Sequence, residues 1–146
     1  MSNFPFDVRR PQTSKMVEEL MQERQQVWAM YCQLGDMKPF VAAPPLTETV
    51  ERFCQLLIDY ISLGHFGVYR RIIDGTERRV QAIATAEQVY AAIEDATDIA
   101  LAFNDKYEQL DAHQLHSELE DDLARLGEAL TTRFDLEDRL MASLLV

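Results

Sequence analysis

Past Pro45 the sequence contains no proline. All five lie at or before that residue, so Leu46 to Val146 lacks the residue that most strongly interrupts a helix. Cysteine is nearly as scarce. Cys32 and Cys54 lack Cys-x-x-Cys spacing, sit inside helical patterns, and read as buried thiols of a reducing compartment. No run of about 18 apolar residues occurs, so no membrane-spanning helix is expected. Met1 to Arg10 has no apolar stretch of the secretory kind, which makes the cytoplasm the expected location. Basic residues are in short supply. Against 25 Asp and Glu stand 14 Lys and Arg, a net charge of −11. A chain this acidic is a poor partner for phosphate backbones, so direct nucleic-acid binding is not expected. It suits a basic protein surface, where opposite charge speeds encounter. Solubility alone also accounts for the acidity.

What is present is helical periodicity. The chain of 146 residues is 47% hydrophobic, enough to bury a core as one domain, residues 1–146, with 1–13 expected to be irregular. After Pro45 apolar residues recur at three and four positions amid Leu, Ala, Glu and Arg, which favours helix over strand. Four segments follow. The first, Ser14 to Leu34, carries the stripe Val17, Leu20, Val27, Trp28, Tyr31 and Leu34, and Gly35 can close it. The second runs from Thr47, as N-cap, to Ile73, with Asp74-Gly75 as its stop. The third spans Arg79 to Glu108, its regular part beginning near the Thr85/Gln88 capping spacing, with Val89, Ile93, Ala96, Ala100, Phe103 and Tyr107 on one face. The fourth opens at Ser117 with Glu120 three residues on. Leu119, Leu123, Leu126, Leu130 and Phe134 form its stripe, continued near Leu140 and Leu144. Four amphipathic helices on short connections predict an all-α, up-down-up-down four-helix bundle.

Motifs for chemistry are missing. No Glu-x-x-His pair of the di-iron kind, no phosphate-binding glycine loop and no Gly-x-Ser-x-Gly occurs. His113 and His116 have His-x-x-His spacing but fall in the turn before the last segment, where solvated histidines account for them; a weak zinc site is the sharper alternative. Cys54 lies on an apolar stripe with Val50, Leu57 and Ile61, a poor setting for a nucleophile. The acidic run Glu118, Glu120, Asp121 and Asp122 complements the dipole at a helix start. No catalytic, cofactor-binding or metal-ligating residue is assigned, and an enzyme is not expected.

The second segment is different. Stepped at about 100° per residue, Val50, Cys54, Leu57, Ile61, Val68 and Ile72 form a core stripe, while Asp59, Leu63, Phe66 and Arg70 gather opposite. Leucine and phenylalanine beside charge, on a face the core does not need, is interface composition. Gly64 and Gly67 bracket the place. Each glycine costs about 1 kcal/mol against alanine in a helix, so two within a turn predict a kink or the close approach of another backbone. Two readings stay open from the pattern: Phe66 faces a partner, or a bend at Gly64 turns it into the core.

Phe53-Cys54-Gln55, Asp59-Tyr60, Ser62, Gly64-His65-Phe66 and Tyr69 together resemble the signature of the Rsd/AlgQ family of bacterial anti-sigma regulators. Gln22-Glu23-Arg24, Tyr31-Cys32-Gln33-Leu34-Gly35, Phe103 to Tyr107, Gly127-Glu128-Ala129-Leu130, Arg133-Phe134 and Leu136-Glu137-Asp138 extend the similarity over nearly the whole chain. The resemblance implies a helical bundle that binds the region-4 domain of the principal sigma factor, a basic helix-turn-helix module, and so lowers the use of that factor by core RNA polymerase. It places partner contacts on Asp59 and Phe66, with Tyr60, Leu63, His65 and Tyr69 around them and Glu137 and Asp138 as secondary charges. Members often carry an acidic residue where Arg70 stands and an aromatic where Leu20 stands. The alternative is a helical-bundle adaptor that binds another cytosolic signalling or metabolic protein through the same face. No cofactor is expected, and the free chain is expected to be a monomer.

Overall fold

The computed structural model describes residues 9–69, 80–109 and 117–145, with side chains for 14–65, 69, 80, 82–108 and 117–143. Four helices make it up: α1 Arg9–Gly35, α2 Pro44–Leu63, α3 Val80–Gln109 and α4 Leu119–Leu145. A π-helical turn, Gly64–Tyr69, extends α2. The architecture is all-α, as the periodicity predicts. α1 packs on α2, α2 on α3, α3 on α4, and α4 closes on α1. Contacts between neighbours run in opposite senses. Tyr31 bonds the Leu123 carbonyl while Arg24 reaches Asp138; Tyr107 meets Asp122 while Thr97 meets Arg133.

The stripes read from the sequence supply the core. Val17, Leu20, Val27 and Leu34 of α1 are buried, as are Val50, Cys54, Leu57 and Ile61 of α2. Val89, Ile93, Ala100, Phe103 and Tyr107 of α3 join Leu119, Leu123, Leu126, Leu130 and Leu140 of α4. Leu20 has no exposure and is a core position. A run of rings crosses the middle: Tyr31 to Phe53 at 6.2 Å, Phe53 to Phe103 at 5.8 Å, Phe103 to Tyr107 at 4.5 Å. Tilted and edge-on ring pairs of this kind add packing energy beyond the area they bury.

Several boundaries move. α1 begins at Arg9, so residues 9–13 are helical rather than irregular. α2 begins at Pro44, with extended Ala43 as its N-cap, and Thr47 lies inside the helix. Proline cannot continue a helix but starts one well, since its fixed φ suits the first turn and no N–H is needed there. α3 is already regular at Val80, ahead of Thr85. At α4, Ser117 and Glu118 form a turn, and the Glu118 carbonyl accepts the Asp122 N–H at 3.0 Å. Cys32 is exposed rather than buried, because Met30, Tyr31 and Leu34 take the inward positions of that turn; Cys54 is buried as expected. Arg70, Ile72, Ile73, Asp74, Gly75, His113 and His116 lie outside the described residues, as do the side chains of Phe66 and Val68.

Candidate functional site: the end of the second helix and its buried support

At the glycines, where the sequence predicts a kink or the close approach of another backbone, the structure has a π-helical turn, Gly64–Tyr69. A π-helical turn fits one extra residue, so the side chains beyond it advance by one position. Tyr69 is accordingly buried, at the end of a segment where straight α-helical counting put Val68 inward. Gly64 itself is buried. A Cβ there would lie 3.0 Å from Nη2 of Arg133 and 3.4 Å from the Tyr69 ring. The nearest neighbours of Gly64 are thus side chains, the Arg133 guanidinium first, and not another backbone.

Arg133 belongs to a buried charged cluster beneath this turn. The Glu137 carboxylate accepts from the Tyr60 hydroxyl at 2.5 Å, the Tyr69 hydroxyl at 2.8 Å and Arg133 Nε at 3.3 Å. Arg133 Nη1 donates to Thr97 Oγ1 at 2.6 Å. Its guanidinium carbon lies 5.0 Å from the Tyr60 ring centre and 5.6 Å from that of Tyr69. Arg133 and Glu137 are each 1% exposed. Burial, with Glu137 alongside, pushes both phenols well above their ordinary range, so they stay protonated donors. Burial alone would lower Arg133, but Tyr60, Tyr69 and Glu137 outweigh it and hold the guanidinium above its usual value. A buried ion pair repays its desolvation only when further hydrogen bonds satisfy both ions, and here α2, α3 and the π-helical turn supply them. Toward the surface, Arg24 donates to Asp138 at 2.7 Å, lies 3.7 Å from Glu137, and sits over the Phe134 ring at 4.9 Å.

The structure sorts the residues that the sequence singled out. Tyr60, Tyr69 and Glu137 come together inside the bundle. Glu137 is thus no solvated charge of the last helix. Asp59 and His65 are exposed, and Asp59 is held by the Gln55 side chain at 3.0 Å. Asp138 is also exposed and engaged by Arg24. Leu63 is half-buried and packs partly on the core, so the face carrying it is not wholly spare. Arg24, Thr97 and Arg133 were not singled out from periodicity, although one signal was available. Arg133 and Glu137 fall three and seven residues after Leu130, which puts two opposite charges one turn apart on the apolar face of α4.

The cluster braces an element. Among the described residues it offers no nucleophile with an adjacent base, and burial pushes the Cys54 thiol up to about 12. Among the described residues no group of three metal-ligating side chains occurs, and no helix is long and apolar enough to cross a membrane.

Comparison with known proteins adds the family. The sequence model described as regulator of RNA polymerase sigma(70) subunit, Rsd/AlgQ, matches residues 5–145. The regulator of sigma D of Yersinia enterocolitica is 33% identical over 135 residues, covering 88% of this chain and 80% of that protein. Its counterpart in Yersinia pseudotuberculosis is 31% identical over 133 residues, with 88% and 79% covered. That of Shigella dysenteriae is 33% identical over 132 residues, with 88% and 83% covered. No solved structure gives a significant match. On a match of this length the chain belongs to the Rsd/AlgQ family of regulators of the RNA polymerase sigma(70) subunit.

Proposed function

We propose that this chain is a cytoplasmic anti-sigma regulator, which binds the region-4 domain of the principal sigma factor and lowers its use by core polymerase. The observation that carries the reading is the family match over residues 5–145. The net charge of −11 supports it, since region 4 is a basic helix-turn-helix module. An acidic binder that holds this module by mass action leaves core polymerase to other sigma factors, and no bond is made or broken.

In this reading the site residues divide by position. Asp59 and His65, both exposed, offer charge and hydrogen bonding to the partner, with Asp138 as a second charge. Phe66 and Leu63 provide the apolar anchors. Tyr60, Tyr69 and Glu137 are buried and act indirectly, by fixing the helix end that presents the others. The free protein is a monomer.

Titration against isolated sigma region 4, followed by heat or anisotropy, tests the reading. A folded sample that fails to bind at tens of micromolar would sink it. The substitution Phe66→Ala should weaken binding by about 2 kcal/mol or more while melting hardly changes. A large loss of thermal stability would instead make Phe66 a core residue and refute its role as an anchor.

A further inference from the structure

A cleft of about 300 Å³ opens between the end of α2 and the middle of α3. Its walls are Ile61, Ile93, Tyr69 and Leu101, and Arg133 forms part of its floor. Ser62 and His65 also line it, so it is continuous with the outward face of the α2 end. Two of the exposed large hydrophobic side chains among the described residues stand here, Tyr90 at 39% and Leu101 at 37% exposure.

The size and the charge each narrow the occupant. At about 300 Å³ the cleft sits at the bottom of the range for small-molecule pockets, room for one side chain rather than a cofactor. The Arg133 charge at its floor is already matched by Glu137, so it leaves little attraction for an anion. Glu94 and Asp98, one helical turn apart on α3, line the same cleft and are exposed. Among the described residues neither forms an ion pair, and Tyr90 stands one helical turn before Glu94 on α3. An apolar slot beside two carboxylates complements an amphipathic basic helix.

We infer that this cleft receives one apolar side chain of a basic partner helix, with a Lys or Arg one turn along paired to Glu94 and Asp98. The inference rests on the anti-sigma reading and extends its surface from the end of α2 onto α3. The occupant is a helix of the same basic domain, reached across Ser62 and His65.

The full-length protein and its Glu94→Gln/Asp98→Asn and Leu101→Ala variants are titrated with isolated sigma region 4 at low and high salt. All three substitutions fall at exposed positions, so melting should match wild type. The double charge variant should bind about fivefold more weakly at ~50 mM salt, with the difference closing at ~500 mM as screening takes over. Leu101→Ala should lose about threefold at both salts, since burial of apolar area is not screened. Tight wild-type binding that neither variant weakens overturns the cleft assignment and leaves the anti-sigma reading standing. No binding by the wild type overturns both.

Discussion

Glu137 is the point on which the end of α2 hangs. Its carboxylate takes two phenol hydroxyls and the Arg133 side chain in a place water does not reach. Glu137→Gln keeps the shape but strands a buried guanidinium. It should cost about 3 kcal/mol, the penalty of an uncompensated buried charge. Urea denaturation checks this as a lower midpoint with an unchanged slope. The pair as a whole is less valuable than either half suggests. Arg133→Met/Glu137→Gln removes both charges while the amide oxygen can still accept from the phenols, and should recover at least half of that loss; a double variant weaker than the single would contradict the account. The sequence made part of this visible. Two opposite charges on the leucine face of α4 were there to be read. That Tyr69 turns inward was not, because straight helical counting misses the extra residue of the π-helical turn, where Gly64 lies against Arg133 and the Tyr69 ring.

At the scale of elements, the link between α3 and α4 depends on a staple at their near ends. Lys106 donates to Asp122 at 2.7 Å and to Glu118 at 2.9 Å, and the Tyr107 hydroxyl bonds the same Asp122 oxygen at 2.5 Å. The acidic run at the start of α4 is therefore more than a dipole complement, because two of its residues, Glu118 and Asp122, are tied to the preceding helix. Burial alone would raise Asp122, but its bonds to Lys106 and Tyr107 and the Lys106 charge bring it below its ordinary 3.8. The sign follows from the direction. A lowered carboxylate stabilises the fold fully above its unfolded value, and that contribution is lost as pH falls through the folded one. Asp122→Asn should thus lower the denaturation midpoint at neutral pH and show a smaller further loss between about pH 5 and pH 2 than wild type. Parallel acid profiles for the two proteins would refute the staple. Periodicity found all four elements, since each long stripe repeats many times. It placed their ends less well. Thr47 looked like a cap because hydroxyl residues commonly are, while Pro44 and Pro45 looked like breaks although they open α2.

Over the whole molecule, charge decides how a partner arrives. The excess of 25 acidic over 14 basic side chains spreads well beyond any one contact. It therefore acts at distances where specific bonds do not, and chiefly on the rate of encounter. Asp59, Glu94, Asp98 and Asp138 are exposed, while Glu137 is sealed inside and adds nothing to short-range recognition. If the partner is the basic sigma domain, raising salt from ~50 to ~500 mM should slow association about tenfold or more and change dissociation by less than about threefold. Stopped-flow mixing at a series of salt concentrations separates the two rates. The apolar anchors then account for the salt-insensitive residence time. An association rate indifferent to salt would mean that the acidity serves only solubility, and a dissociation rate that carries the whole salt effect would move the recognition from the apolar slot to ion pairs alone.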